Sequence, residues 1–222
     1  MLVLTWNLFH GRAVPPAGRD LLAEFSAALA SWEWDVALLQ EVPPWWPAEL
    51  ARASEAQQRR ALTSRNVLPP LQRALAERWP DVIKSWGGGA NAILVRGLGI
   101  TEHRRAHLRW WPEQRVVHAV RLGTGAWVGN LHAQVHSEQR AQADLALAAR
   151  RVGAWAAGGP FVLGGDTNVR VVQAPGLTHA GGHGVDHLLV RGFAGARARV
   201  LDRGVLSDHA PVVANIDALA AS

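Results

Sequence analysis

Short, wholly apolar runs that stop abruptly at an acid, an amide or a histidine constrain this chain more than any other feature. Leu2 to Phe9 holds Asn7 and stops at His10-Gly11. Asp35-Val-Ala-Leu-Leu-Gln-Glu41 ends on two polar residues, and the run from Ala126 stops at His132. Pro160 to Gly165 gives way to Asp166-Thr167-Asn168. Runs of this kind read as strands covered on both faces. Asp186 opens the strand within Val185 to Arg191, and Asp208-His209 directly precedes the strand Pro211 to Ile216. Strand ends in a layered sheet converge on one rim, so polar groups far apart in the chain can gather there.

The remaining segments fit between these strands. Residues 18–32 predict a helix, with Leu21, Leu22, Phe25, Ala28, Leu29 and Trp32 at helical spacing. Ser137 to Ala157 predicts the strongest helix, with Leu145, Ala148, Ala149, Val152 and Trp155 as its buried stripe and Ser137 as N-cap. Glu49 to Leu62 and Leu71 to Trp79 also read as helical, though poorly amphipathic. Asn91 to Arg96, Arg115 to Leu122 and Ala198 to Leu201 read as further strands. Strands outnumber helices and alternate too irregularly for a purely parallel βαβ fold, so the pattern predicts a mixed α/β sandwich. With 222 residues, no linker and no repeat, one domain over 1–222 is expected.

Composition excludes several chemistries. Cysteine is absent, which removes disulfides, thiol catalysis, Cys-ligated zinc and iron–sulfur clusters. No run of about 18 apolar residues offers a membrane span. The amino terminus reads at once as a strand and lacks the features of a signal peptide, which gives a cytoplasmic expectation. The formal net charge is +5, and Lys84 is the one lysine in a chain without tyrosine. Almost nothing titrates between histidine and arginine, so the isoelectric point overstates the basicity. A modest positive balance suits an anionic substrate without making the chain a nucleic-acid binder by itself.

Thr5-Trp6-Asn7, Leu39-Gln40-Glu41, Gly129-Asn130-Leu131-His132, Gly165-Asp166-Thr167-Asn168, Val185-Asp186-His187 and Ser207-Asp208-His209-Ala210-Pro211, in this order, resemble the endonuclease/exonuclease/phosphatase superfamily. The stretches span nearly the whole chain. The resemblance implies a four-layer α/β sandwich, two packed mixed β-sheets flanked by helices, and a metal-dependent phosphoester hydrolase. Two departures stand out: Thr167 replaces a residue that is commonly aromatic or aliphatic, and Val42-Pro43-Pro44 is an unusual exit after Glu41.

Phosphoester hydrolysis needs charge neutralisation on the phosphoryl oxygens, an aligned water and a stabilised leaving oxygen. Asn7, Glu41 and Asp208 are the candidate ligands for Mg²⁺ (or Mn²⁺), an ion that keeps several waters and takes one or two carboxylates. Asp186 and His209 are the candidate orienting pair, since a carboxylate on one imidazole nitrogen fixes the tautomer. Asp166 is the second candidate for general base beside His209. Asn168 would hold the phosphate or the attacking water, and His132 would donate to a phosphoryl oxygen. Arg115 opens a strand where the family often carries a basic residue, which makes it a candidate phosphate contact. Histidines 10, 179 and 183 are candidates to line a pocket.

For the substrate, nucleic acid is the leading expectation, with a small-molecule or lipid phosphate as the alternative and a catalytically silent binding protein third. Three Arg clusters, in residues 52–78, 104–115 and 191–203, offer a polyanion surface. Trp45-Trp46 and Trp110-Trp111 could stack on bases or belong to the core. The 17 residues between Asn168 and Asp186 leave little room for a recognition loop, and no exposed apolar hairpin for bilayer insertion is expected. No protein partner is inferred.

Overall fold

The alternation of apolar runs resolves, in a computed structural model describing residues 1–63, 69–83, 89–111 and 113–218, into twelve strands shared by two sheets. In chain order the elements are β1 (Leu2–Asn7), a 3-10 turn (Phe9–Gly11), α1 (Leu22–Ser31), β2 (Val36–Val42), α2 (Pro47–Ala53), β3 (Gln57–Leu62), α3 (Pro69–Arg78) and α4 (Pro80–Ile83). Then follow β4 (Ala90–Val95), β5 (Ile100–Arg109), β6 (Arg115–Leu122), β7 (Trp127–His132) and α5 (Glu138–Ala156). The chain finishes with β8 (Phe161–Asp166), β9 (Thr178–His183), β10 (Asp186–Arg191), β11 (Phe193–Val200) and β12 (Val212–Ala218). One sheet runs β11-β12-β1-β2-β4-β3 and the other β5-β6-β7-β8-β10-β9.

Three apolar layers hold these sheets. Val3, Val36, Leu38, Ile93, Val120, Val128, Val162 and Leu188 meet between them. Phe25 and Leu29 of α1 and Leu50 of α2 cover the outer face of the first sheet, against Leu4, Trp6 and Leu39. Leu145, Ala148 and Val152 of α5 cover the second, against Val117, Leu131 and Leu163. The result is the expected four-layer sandwich. Gly164 lets the layers close: a Cβ there would lie 2.4 Å from Leu188 Cδ2 and 3.0 Å from Leu38 Cδ1 of the facing sheet.

The local expectations need four corrections. The helix expected over Glu49 to Leu62 ends at Ala53, and Gln57–Leu62 is β3, an edge strand on β4. Strands β5 and β9 were not expected at all, and β11 begins five residues before Ala198. Ser137 does occupy the N-cap of α5, but its side chain makes no capping hydrogen bond. Between Asn168 and Asp186, β9 takes up Thr178–His183, so much of that stretch is sheet edge rather than loop. Arg65 of the first basic cluster lies outside the described residues.

Candidate active site

Strand register alone brings most of the candidate residues together. In the second sheet β7 and β8 run parallel with His132 beside Asp166, and β8 and β10 run antiparallel with Asp166 opposite Asp186. In the first sheet, Asn7 pairs with Gln40, next to Glu41, and Thr5 pairs with Val212, which brings His209 to the end of β1. Asn7 Nδ2 donates to Asp166 Oδ2 at 2.9 Å, so the two sheets touch at the site through a buried amide–carboxylate bond.

Glu41 reaches the site through a defect in its strand. The pairing of β2 with β4 slips between Leu39 and Val42, and Glu41 has φ +50°. A bulge of this kind re-aims a side chain. Its carboxylate lies 3.1 Å from His10 Nε2 and 3.8 Å from His132 Nε2. Behind the bulge, Asn130 of the other sheet donates to Leu39 O and Ala92 O, each at 2.9 Å, and accepts from Gln40 Nε2 at 2.8 Å. Gln40 and Asn130 belong to the quoted sequence stretches, but nothing in the sequence gave them this cross-sheet role.

Left-handed backbone marks the same place independently. Among the described residues, seven non-glycine residues have positive φ, and five of them are Phe9, His10, Glu41, Asn168 and Ser207. Each costs on the order of 1–2 kcal/mol relative to ordinary backbone and persists only where surrounding contacts over-determine it. Asn168 N donates to Asp166 Oδ1 at 3.1 Å, and Asn168 Nδ2 donates to Ala133 O at 3.1 Å. Ser207 Oγ donates to Asn7 O at 2.7 Å and accepts from His209 N at 3.0 Å, while Trp6 Nε1 donates to His209 O at 3.0 Å. Thr167 is fully buried and donates to Val185 O at 2.8 Å, fastening β8 to the turn before Asp186.

The electrostatics divide the groups. His209 Nδ1 sits 2.7 Å from Asp186 Oδ2. Burial opposes a charged His209, but the Asp186 hydrogen bond and the charges of Asp186, Asp166 and Asp208 outweigh it and raise its pKa to about 9. Asp166 is pushed upward by burial and by the neighbouring Asp186, against the pull of His209 and Asn7. Burial, followed by the charges of Arg115, His10 and His209, holds His132 well below its usual value and so neutral. Among the described residues, His132 Nε2, Asp186 Oδ1 and Arg115 Nε are buried without a hydrogen-bond partner. Buried polar atoms of that kind call for a ligand, ion or water.

Donor chemistry suits a divalent cation. Glu41 is partly exposed, with the imidazoles of His10 and His132 beside it, and a hard cation held by one or two carboxylates keeps several waters. Asp166, Asp186 and His209 also offer donor atoms within 4.8 Å of one another. The 2.7 Å contact between Asp186 and His209 is, however, a hydrogen bond already made.

Of the nine candidate residues, Asn7, Glu41, His132, Asp166, Asn168, Asp186 and His209 meet in this cluster. Asp208 stays on the rim, 3.9 Å from His209 Nε2 and 44% exposed. Arg115 is buried and ion-paired with Glu113 at 2.5 Å, within the influence of Asp166 and Glu41. His10 faces Glu41. His179 pairs with His187 at 3.0 Å, and His183 stands opposite Asp186. The Arg cluster of residues 104–115 is largely neutralised: Arg104 pairs with Glu102, Arg109 with Asp144 and Arg115 with Glu113. Trp46 is core, whereas Trp110 and Trp111 stand 70% and 77% exposed beyond the end of β5. No described helix is long and apolar enough to cross a membrane.

Comparison with known proteins agrees with this fold. The chain is similar in structure to TDP2 from Caenorhabditis elegans (TM-score 0.69, 18% identity, 98% of this chain and 74% of that one). It is similar to an endonuclease/exonuclease/phosphatase from Beutenbergia cavernae (TM-score 0.76, 19% identity, 98% and 71%). A mannosyl-6-phosphatase from Bacteroides thetaiotaomicron shares the fold as well (TM-score 0.70, 15% identity, 97% and 99%). Among curated proteins, none matches the chain in sequence. The model of the Endonuclease/Exonuclease/phosphatase family matches residues 4–209, and the chain therefore belongs to that family of phosphoesterases.

Proposed function

We propose that this protein is a divalent-metal-dependent phosphodiesterase acting on nucleic acid, by in-line attack of an activated water. One observation carries the reading: Asn7, Glu41, His132, Asp166, Asn168, Asp186 and His209 meet at one rim from both sheets. Glu41, with Asn7 beside it and Asp208 on the outer edge, would hold Mg²⁺ or Mn²⁺. The ion would neutralise charge on the phosphoryl oxygens.

The chain's own groups then have separable tasks. Asp166, fixed by Asn7 and the Asn168 backbone, accepts the proton of the attacking water. Its raised pKa makes it a better base than an exposed aspartate. His209, held protonated by Asp186, donates to a phosphoryl oxygen. Neutral His132 points an unpartnered Nε2 into the cluster and adds a further contact to phosphate, and Asn168 orients the water. Arg115, already paired with Glu113, lies within the electrostatic reach of Asp166 and Glu41 and backs the site. The exposed Trp111, and the outer face of Trp110, whose ring stacks on His107 at 3.7 Å, favour a base-bearing substrate over a bare phosphate, because a base can stack on an indole.

Hydrolysis of plasmid DNA, single-stranded DNA, RNA, a generic phosphodiester and a generic monoester, each with Mg²⁺, Mn²⁺ or EDTA, tests the proposal. Nucleic acid and the diester should be cleaved, and EDTA should abolish the reaction. Cleavage of the monoester alone would turn the reading toward a phosphatase. Retention of DNA without any cleavage would make the protein a binder.

A further inference from the structure

We propose that Nε2 of His10 is itself a ligand of the divalent cation, beside Glu41, and that it tunes the site toward a transition-metal ion over Mg²⁺. This rests on the metal-dependent reading above and names a residue that reading leaves without a role. His10 Nε2 and Glu41 Oε2 are 3.1 Å apart. Two adjacent ligands of a six-coordinate ion with bonds near 2.1 Å lie about 3.0 Å apart, so this pair can open from its mutual contact onto one ion with little movement.

The backbone around His10 is built to aim this ring. Phe9 and His10 are consecutive left-handed residues, at φ +50° and +54°. The Arg12 guanidinium lies 3.6 Å from the centre of the Phe9 ring, and Arg12 Nε donates to Phe9 O at 3.1 Å. Asn7 Oδ1 accepts from Phe9 N at 2.9 Å. Gly11 seals the turn at φ +75°, where a Cβ would lie 2.3 Å from the buried Trp46 ring. Three contacts on Phe9 and two left-handed residues thus fix the turn that carries an imidazole 14% exposed against a carboxylate 21% exposed. A partly exposed His–Glu pair contributes little to stability, at most about 1 kcal/mol, so the pairing alone does not explain the strain.

Ligand softness gives the consequence. Mg²⁺ prefers oxygen throughout, whereas an imidazole nitrogen raises affinity for the divalent transition metals. A site built on one carboxylate, one imidazole and waters should therefore prefer Mn²⁺, Co²⁺ or Zn²⁺ to Mg²⁺.

Mn²⁺ is the probe. Electron paramagnetic resonance titrations give its affinity, Mg²⁺ competition gives the preference, and pulsed measurements report nitrogen-14 coupling from a bound imidazole. The unsubstituted protein should bind Mn²⁺ about tenfold or more tighter than Mg²⁺ and show that coupling. His10→Gly, which accepts the left-handed backbone without strain, should lose the coupling and the preference while Mg²⁺ affinity changes little. His10→Gln, whose amide oxygen reaches the place of Nε2, should restore an oxygen donor and shift the preference to Mg²⁺. Circular dichroism confirms that each variant is folded. Bound Mn²⁺ without nitrogen coupling, or coupling that survives in His10→Gly, would overturn the role of His10 alone. A folded protein that binds neither ion would overturn the metal-dependent reading with it.

Discussion

At the scale of single residues, the site is where this chain departs from relaxed conformations and relaxed charges. Asp166 is buried beside Asp186, and both carboxylates are raised above their usual range, first by burial. A carboxylate whose pKa is higher folded than unfolded costs stability once it is ionised in both states. Asp166→Asn should therefore raise folding stability in metal-free protein by roughly 1–2 kcal/mol while lowering kcat at least a hundredfold. Urea unfolding and turnover on one preparation would check the pair of outcomes, and a variant that keeps its activity would remove Asp166 from the chemistry. His209 sets a second expectation. It acts protonated and Asp166 acts ionised, so kcat/KM should fall at alkaline pH as His209 loses its proton near pH 9. The acid limb should follow Asp166. The alkaline limb should vanish from the residual activity of His209→Ala, and a limb that stayed in place would belong to another group.

At the scale of elements, what could be read from sequence follows burial. Central strands such as β1, β2, β7 and β8 are buried on both faces and announced themselves as apolar runs. The three strands that were missed, β3, β5 and β9, are all sheet edges. Arg59, Arg60, Arg104 and Arg105 lie on such edges, where one flank of the backbone is open and polar side chains reach water. Charge of that density reads as helix surface or loop until a neighbouring strand is known. The site was legible because strand ends share a rim. The bulge at Glu41 and the left-handed residues were not, since outside glycine backbone conformation leaves only a weak preference for asparagine, aspartate and histidine, which Phe9, Glu41 and Ser207 do not follow.

Asn130 shows what else stayed hidden at this scale. Its amide satisfies Leu39 O and Ala92 O beside the bulge, in a layer where no water competes. Asn130→Ala would leave both carbonyls buried and unmet, at a cost of about 2–4 kcal/mol. Denaturant unfolding would measure the loss. A cost below about 0.5 kcal/mol would mean that the bulge holds itself.

At the scale of the whole molecule, function depends on two sheets staying docked, because each supplies part of the site. The first sheet carries Asn7 and Glu41, and the second carries His132, Asp166 and Asp186. Between them the layer is apolar near its centre and polar toward the β6 side, where His118 is fully buried and its Nδ1 lies 3.3 Å from His103 Nε2. Burial, then the charge of His103, lowers the His118 pKa to about 3, so the ring stays neutral in the folded protein. The unfolded chain takes up that proton below about pH 6.5. Between roughly pH 6.5 and pH 3 the unfolded state therefore binds one more proton at this position than the folded state. Stability is full above that window and is lost as pH falls through it, by up to about 1.4 kcal/mol per unit for this group. His118→Gln should flatten the loss by about 2–3 kcal/mol at pH 4.5, with little change at pH 7.5. Other histidines with lowered values, His132, His187 and His103, would keep some acid sensitivity in the variant. Urea midpoints at the two pH values, on both proteins, give the difference. Parallel pH profiles would place the acid-sensitive contact elsewhere, and the inter-sheet layer would not be the part of the molecule that acid loosens.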